Sequence, residues 1–215
     1  KAYNEGVAVK IHEYSEKRTD PKCAHFGTCG GCKWQNMDYQ HQLFYKQKQV
    51  VDNLERIGHL DLPEMSPILP TEKIYNYRNK LEFTFGNKRW ILPEEFKIPS
   101  EDRQYNGLGF HLPGMWDRVL DIDECHLQED PSNQIRLAVR DFAIENDLSF
   151  LNIRGWTGLL RNLIVRNTST GDLMIIIVFG EDDKEKRELL LDFLLGKFPQ
   201  ITSLVYSINT KHNDI

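Results

Sequence analysis

Three of the chain's four cysteines lie in one ten-residue segment, CAHFGTCGGC, which runs from Cys23 to Cys32. Their spacing is C-x5-C-x2-C, and the fourth cysteine follows much later, in LDIDECHL. A CxxC pair lets two thiolates converge on one inorganic centre, and the glycines between them can direct amide N–H groups at the sulfurs. The spacing therefore predicts a metal or metal-cluster site whose ligands are Cys23, Cys29, Cys32 and Cys125.

Three interpretations of these sulfurs stay open on spacing alone. An iron–sulfur cluster is favoured, because three clustered cysteines plus one distant cysteine is a common arrangement for four-thiolate ligation and leaves no cysteine over. Structural zinc more often uses two separate CxxC pairs, and unrelated buried or free thiols are the third alternative. His25 and His126 each neighbour a cysteine, but with four thiolates available we interpret both as bystanders.

A cluster held here is expected to stabilise the fold rather than carry electrons. Ligation would tie an N-terminal loop to a distant strand end, which stabilises a fold as a cross-link does. Four thiolates around a four-iron core leave a net charge of about −2. Asp121, Asp123 and Glu124 lie beside Cys125 in sequence and would not offset that charge. Acidic neighbours lower a reduction potential, so an easily reduced electron carrier is the weaker interpretation.

Composition and charge limit the classes to which the chain can belong. It has 215 residues, 40% apolar and 27% charged, as in an ordinary soluble protein with a sizeable core. The net charge of −5 argues against a strongly basic nucleic-acid binder and leaves room for local basic patches. Apolar runs are too short to cross a bilayer, and four cysteines without a secretory segment indicate a reducing compartment. We therefore expect a cytoplasmic protein with no membrane partner.

The elements that must position the cysteines follow from the periodicity of the apolar residues. A helix is predicted after Asp38, which is its expected N-cap, with Gly58 as its stop. Strands are predicted in EGVAV, YRNKLEFTFG, GLGFH, DRVLDID, LLRNLIVRN, LMIIIVFG and SLVYSI. Two further helices are predicted in DPSNQIRLAVRDFAIEN and DKEKRELLLDFLLGKF. The order indicates an α+β fold, an antiparallel sheet with packed helices and an iron–sulfur cluster loop near the N-terminus.

Several segments resemble the RNA uracil-5-methyltransferases, specifically the branch that modifies 23S ribosomal RNA. The most specific is the cysteine block with the Gln- and Lys-rich helix that follows it, CAHFGTCGGCKWQNMDYQHQLFYKQKQVVDNLERIG. Similar segments are YRNKLEFTFG, GLGFHLPGMWDRVLDIDEC, GLLRNLIVRNTSTGDLMIIIV and SLVYSINTKHNDI, so the resemblance spans essentially the whole chain. His126 departs from the proline found in many relatives. The resemblance implies that the four cysteines ligate a 4Fe–4S cluster.

The resemblance also implies a three-part parent enzyme that transfers a methyl group from S-adenosylmethionine to C5 of a uridine in 23S rRNA. Residues 1–20 would be the end of an N-terminal β-barrel RNA-binding domain and a connector, and 21–37 the cluster loop. Residues 38–60 would form a helix that could pack on the missing catalytic domain, and 61–215 the central α+β domain. The C-terminal methyltransferase domain, which binds S-adenosylmethionine in the full-length enzyme only, would be absent.

Such a fragment would be a monomer that holds a cluster, docks RNA and has no catalytic residues of its own. Covalent attack at C6 of the uracil needs a free thiolate, and all four cysteines are assigned to the cluster. The methyl-donor site needs a glycine-rich turn from a strand into a helix, and the glycines of Gly107–Gly109 open no predicted helix. One alternative is a stand-alone RNA-binding module stabilised by zinc or by an iron–sulfur cluster. The other is an electron carrier.

Basic and aromatic residues give the candidate RNA contacts. Three follow the cysteine loop, two lie on the solvent face of one predicted strand, and a basic–aromatic loop contributes two more. Arg161 and Arg166 are five residues apart, so they face opposite sides of a regular strand and are not expected to share one RNA-binding face. Of the two, Arg161 is preferred by resemblance alone. The alternative for each is solvated surface or rim packing. The candidates are Lys33, Trp34, Gln35, Arg78, Lys80, Lys88, Arg89 and Arg161.

Overall fold

The computed structural model describes residues 6–213, and this part of the chain divides into two compact units. The first unit is formed by the chain up to Lys22 together with Lys33–Glu72. The second is formed by Cys23–Cys32 together with the chain from Lys73 onward. All four cysteines therefore belong to the second unit. The expectations for residues 1–5 and 214–215 lie outside the described residues.

The first unit is built around helix α1, Tyr39–Asp52. The predicted N-cap is confirmed, because the Asp38 carboxylate accepts a hydrogen bond from the Gln40 N–H at 3.0 Å. The helix continues as a π-type turn over Asn53–Ile57 and stops at Gly58, as predicted. The strand predicted in EGVAV is not formed in residues 6–9, which are exposed and have no neighbouring strand among the described residues.

The second unit contains a six-stranded sheet with the order β3-β2-β1-β4-β5-β6. Four of its neighbouring pairs are antiparallel, as predicted, but β5 and β6 are parallel, so the sheet is mixed and the expectation of a purely antiparallel sheet is wrong. The reason is the helix between β5 and β6, which crosses over the sheet and returns the chain in the same direction. The strands are β1 Lys80–Gly86, β2 Gly107–Leu112, β3 Met115–Asp121, β4 Leu160–Asn167, β5 Leu173–Phe179 and β6 Ser203–Ile208.

Helices α2, Ser132–Glu145, and α3, Lys184–Lys197, complete this α+β unit. They contact each other through Phe142 and Phe193, whose rings stack with centroids 3.9 Å apart. Strand β1 alternates buried and exposed side chains, as its sequence predicts, and its buried residues join the central core with those of β4 and β5. No helix in the described part of the chain is long and apolar enough to span a membrane.

Candidate metal centre

The cysteine loop, Cys23–Cys32, is held by turns of its own backbone and by one hydrogen bond to the sheet. The Cys29 N–H donates to the His25 carbonyl at 2.9 Å, and the Gly30 N–H donates to the carbonyl of His111 on β2 at 3.2 Å. A Cβ added at Gly30 would lie 2.5 Å from that carbonyl oxygen. Gly30 is therefore required by the close approach of two backbones, and this approach fixes the loop against β2.

Cys125 is positioned by the first turn of α2. The Asn133 side chain accepts from the Cys125 N–H at 2.8 Å and donates to the Cys125 carbonyl at 3.2 Å. The Asn133 N–H in turn donates to the Asp130 carboxylate. Asn133 therefore fixes the backbone of the fourth cysteine from both sides. Asn133 was not among the predicted site residues, because an asparagine eight residues after a cysteine carries no recognisable signal.

The four thiols occupy one neighbourhood of the second unit. Cys29 and Cys32 pack against the hydrophobic core that contains Cys125. Burial raises the pKa of the Cys125 thiol to about 11, and the charges of Cys32, Cys29 and Cys23 act on it in the same direction. The pKa of Cys29 is also raised, first by burial and then by Cys32 and Cys23. Four thiolates this close together require a cation or a metal group to offset their repulsion.

Backbone amides already point at two of these sulfurs. The Gly31 N–H donates to the Sγ of Cys29 at 3.3 Å, and the Leu127 N–H donates to the sulfur of Cys125. Both hydrogen bonds lower the pKa of the thiol that accepts them, against the larger effect of burial. Amide donors of this kind stabilise metal-bound thiolates and tune the group that they bind.

A ready-made site for a single ion is not formed here. In the part of the chain that the structure describes, no group of three or more His, Cys, Asp or Glu side chains is arranged to hold a metal ion. Tetrahedral zinc would require four ligand atoms, each about 2.0–2.3 Å from the metal. Each thiolate of an iron–sulfur cluster binds a different iron, so the ligands of a cluster lie further apart than those of one ion. Thiolates are ligands that both zinc and iron–sulfur clusters use, so the four thiols fit either group by their chemistry.

The two histidines beside the cysteines have other partners. The Nε2 atom of His25 accepts the Asp123 N–H at 3.0 Å, which ties the cysteine loop to the segment before Cys125. The Nδ1 atom of His126 lies 3.1 Å from the Glu124 carboxylate, and the ring packs edge-on against Tyr75. These contacts give both histidines a role in holding the two cysteine segments.

Positive charge also lies close to Cys125, in addition to the acidic residues that neighbour it in sequence. Arg136 on α2 is fully buried, and it donates to the carbonyl of Asp123 at 2.9 Å. Arg140, one turn further along α2, pairs with the Asp121 carboxylate at 3.0 Å. Burial nevertheless raises the pKa of Asp121, with Arg140 opposing that effect. Neither arginine was among the predicted site residues, because both lie within the helical pattern of SNQIRLAVRDFAIE.

The candidate RNA contacts of the first unit are accessible. Trp34 is 41% exposed, and the Lys46 ammonium lies 5.7 Å from the centre of its ring. The Trp34 carbonyl accepts from the Gln42 side chain, which fixes the start of α1. Lys33 is also exposed and Gln35 is half-buried. An exposed indole beside an ammonium is a surface on which a nucleic-acid base can stack.

The candidates in the second unit fall into two groups. Arg78 and Lys80 are exposed, and the Lys80 ammonium is 3.7 Å from the Glu82 carboxylate. The Arg78 N–H donates to the carbonyl of Leu127, which connects this basic segment to the backbone just after the fourth cysteine. Lys88 is half-buried. Arg89 and Arg161 form the second group, because both side chains make contacts inside the fold.

Arg89 fixes the loop that follows β1. Its guanidinium forms a two-pronged ion pair with the Glu95 carboxylate, at 2.5 and 3.0 Å, and donates to the Gln104 carbonyl. The side chain is only 12% exposed. The same ion pair holds the pKa of Glu95 below its usual range. Arg89 therefore holds this loop together, and RNA contact by its side chain stays a prediction.

Arg161 anchors the chain that follows β6. It is 3% exposed and donates to the carbonyls of Asn209, Lys211 and Asn213, while its guanidinium covers the Trp156 ring at 5.0 Å. The pairing register of β4 shifts between Leu160 and Asn162, so the alternation that separated it from Arg166 does not hold at this point. Arg166 is the exposed member of the pair. RNA contact by Arg161 also stays a prediction.

Comparisons with other proteins place this chain among proteins named for RNA methylation. No protein-family model matches the chain. It is 54% identical over 215 residues to an uncharacterized RNA methyltransferase of Bacteroides thetaiotaomicron, covering 99% of this chain and 47% of that protein. An uncharacterized RNA methyltransferase of Porphyromonas gingivalis is 49% identical, with the same coverage. The chain therefore spans about half the length of these relatives.

One solved structure has the same fold. It is the Pyrococcus abyssi tRNA (uracil-54, C5)-methyltransferase in complex with S-adenosyl-L-homocysteine, with a TM-score of 0.63 and 24% sequence identity. The match covers 96% of this chain and 41% of that one. The fold of this chain is therefore similar to that of less than half of the solved chain.

The close approach at Gly30 predicts a difference between the two neighbouring glycines. We expect Gly30→Ala to lower the free energy of unfolding by about 2 kcal/mol, because the new methyl group would overlap the His111 carbonyl. Gly31→Ala is the matched control, because its Cβ would meet only the Cys29 sulfur, at an ordinary 3.5 Å. We expect a change below about 0.5 kcal/mol there. Equal urea midpoints for the two variants would contradict this account of the loop.

The ion pair of Arg89 predicts a pH-dependent contribution to stability. We expect Glu95→Gln to lower the free energy of unfolding by about 2 kcal/mol at pH 7. The folded-state pKa of Glu95 is depressed, so its contribution is present above the usual pKa of 4.5 and is lost as pH falls through the folded-state value. Urea unfolding at a series of pH values should show the difference between parent and variant shrinking on acidification. A difference that is the same at every pH would rule out this ion pair as its source.

Proposed function

We propose that the chain is the cluster-binding, RNA-docking part of an S-adenosylmethionine-dependent enzyme that methylates C5 of a uridine in 23S ribosomal RNA. The observation that carries the proposal is the meeting of four thiols in one unit of a fold shared with a tRNA (uracil-54, C5)-methyltransferase. The names of the two bacterial relatives support RNA methylation as the activity of the parent protein. The choice of ribosomal RNA rests on the resemblance of the cysteine block.

The four cysteines would hold a 4Fe–4S cluster, with Cys23, Cys29 and Cys32 on the loop and Cys125 after β3. Such a group would supply a multi-point cross-link between these two segments. The chain's own residues then have definite roles. Gly30 keeps the loop against β2, His25 joins it to the segment before Cys125, and Asn133 holds Cys125 itself.

Methyl transfer would take place on another part of the parent enzyme. The reaction needs a thiolate that adds to C6 of the uracil, so that C5 takes the methyl group from S-adenosylmethionine and then gives up its proton to a base. The four thiols of this chain are assigned to the cluster. Gly107–Gly109 lies inside strand β2 and opens no helix, unlike the turn that a methyl donor requires. Both features support a catalytic domain distinct from this chain.

The same proposal includes the organisation of the parent protein. Residues 1–20 would end a β-barrel RNA-binding domain, 21–37 would be the cluster loop, 38–60 a helix facing the catalytic domain, and 61–215 the central domain. RNA docking would rest chiefly on the exposed candidates Lys33, Trp34, Arg78 and Lys80. Exposed cations beside a stacking surface bind phosphate and splayed bases without strong sequence preference. The protein would act as a monomer in the cytoplasm, where ribosomal RNA is present.

Iron and sulfide analysis tests the cluster. We expect the anaerobically purified chain to contain about four irons and four sulfides. Cys29→Ser and Cys125→Ser should each lose most of the iron and most of the sulfide. Both variants should also unfold at a lower urea concentration than the parent, because each lacks one ligand of the cluster that links the two cysteine segments. Thr28→Ser, next to Cys29, is the control and should keep its iron.

Two results would contradict the cluster. One is zinc in place of iron and sulfide, and the other is cysteine variants that unfold at the parent's midpoint and slope. A readily reversible redox couple, with no loss of fold when iron is removed, would favour the electron carrier instead.

RNA binding tests the docking role. We expect weak binding to a uridine-containing 23S rRNA stem–loop, with an affinity that falls steeply as salt rises. Arg78→Gln and Lys80→Gln should each reduce the slope of log K against log salt by about 1 if they contact phosphate. Lys184→Gln, an exposed lysine at the start of α3, should leave the slope unchanged. Binding that does not depend on salt would contradict a phosphate-led interaction.

A further inference from the structure

Arg136 is a buried arginine whose charge is poorly compensated by the protein. Its side chain is 0% exposed and lies over the Phe83 ring at 5.6 Å. Its hydrogen bonds go to two backbone carbonyls, those of Asp123 at 2.9 Å and Leu108 at 3.3 Å. Its buried Nε has no hydrogen-bond partner among the described residues. A guanidinium placed this way is costly unless a negative charge lies nearby.

The surrounding carboxylates do not fully supply that charge. Asp121 approaches Arg136 only to 3.9 Å, while its other oxygen forms a 3.0 Å ion pair with Arg140. Asp141 pairs with Arg140 and is 53% exposed, so water screens its charge. The Asp123 carboxylate is 90% exposed. Asp121 is therefore shared between the buried Arg136 and the half-buried Arg140, which leaves the charge of Arg136 only partly matched.

The guanidinium of Arg136 contacts the backbone segment that carries the fourth cysteine. Asn133 and Arg136 are three residues apart on α2, so they share one face of the helix. Asn133 holds the backbone of Cys125, and Arg136 holds the carbonyl of Asp123, two residues earlier. Burial lowers the pKa of the guanidinium to about 10, opposed first by the charge of Asp121 and to a smaller extent by that of Cys125, so Arg136 stays protonated at neutral pH. Leu108, its second carbonyl partner, is on β2, the strand whose His111 holds the cysteine loop.

We propose that Arg136 is the buried counter-charge of the four-thiolate centre, an inference that rests on the proposed function. The centre's net negative charge offsets the desolvated guanidinium, and the guanidinium offsets the thiolates in return. Because both lie in an interior of low dielectric, this interaction is far stronger than one between the same charges on the surface. Arg136 thus acts as a positioning and charge-balancing residue and is not itself a ligand.

This role makes the two forms of the protein respond differently to loss of the charge. Without the centre, Arg136 remains a buried guanidinium whose carboxylate partner, Asp121, is 3.9 Å away and is shared with Arg140. Replacing it with an apolar side chain of similar length then removes a costly buried charge but also leaves the carbonyls of Asp123 and Leu108 without this donor, so the net change in stability is modest. With the centre bound, the same substitution removes the counter-charge of the thiolate centre and weakens the binding of that centre to the protein.

The experiment compares Arg136→Met, Arg136→Lys and the parent, each with and without iron. We expect Arg136→Met to lose iron to a chelator at least about tenfold faster than the parent, which corresponds to about 1.4 kcal/mol. Relative to the parent in the same state, its iron-free form should show a smaller fall in urea midpoint than its iron-loaded form. Arg136→Lys keeps the charge and should release iron close to the parent's rate, so it also controls for failure of the Met variant to fold.

Arg187→Met is the matched control for loss of a buried arginine on a helix. Arg187 pairs with Asp182 and the Tyr206 ring, so its removal should lower the midpoint equally with and without iron. The inference is overturned if Arg136→Met behaves in this way, or if it releases iron within about twofold of the parent. If the parent chain itself holds neither iron nor sulfide, the proposed function fails and this inference fails with it. If the parent loads normally and Arg136→Met matches it, only this inference fails.

Discussion

The second unit depends on bringing four sulfurs, distant in sequence, into one partly buried neighbourhood. Thiols in this environment resist ionisation, and four thiolates together repel one another. The arrangement is therefore stable either as protonated thiols or as ligands of a positively charged group. The surrounding contacts favour ligation, since amide donors point at two of the sulfurs.

Three segments meet at this point, and each is fixed by a different kind of contact. The cysteine loop is held by the tight approach of Gly30 to β2. The segment before Cys125 is held by His25 and Arg136, and Cys125 itself by Asn133. The sheet and α2 thus serve as a rigid frame for a site assembled from loops. Such a frame holds the four thiols in place through the protein's own contacts.

The features that the sequence predicted well are those set by local patterns. The alternation of β1 follows from period-two burial, and the start of α1 follows from the carboxylate of Asp38. The cysteine spacing located the candidate site. The parallel pairing of β6 was not predicted, because strand direction depends on how α3 crosses the sheet. The shift of register at Arg161 was not predicted, because the comparison with Arg166 assumed a regular strand.

The charge around Cys125 shows why sequence neighbours mislead. Asp121, Asp123 and Glu124 suggested an acidic site, yet the fold brings up Arg136 and Arg140 from a helix that follows Cys125. A buried arginine inside an amphipathic pattern gives no local signal, since its position resembles that of any solvated residue until packing is known.

Diffraction at the iron absorption edge, from crystals grown without oxygen, tests the central claim most directly. The account predicts one compact anomalous peak in contact with the Sγ atoms of Cys23, Cys29, Cys32 and Cys125. Four thiols with no metal signal between them, a signal at the zinc edge only, or a Cys125 turned away from an iron site would contradict it.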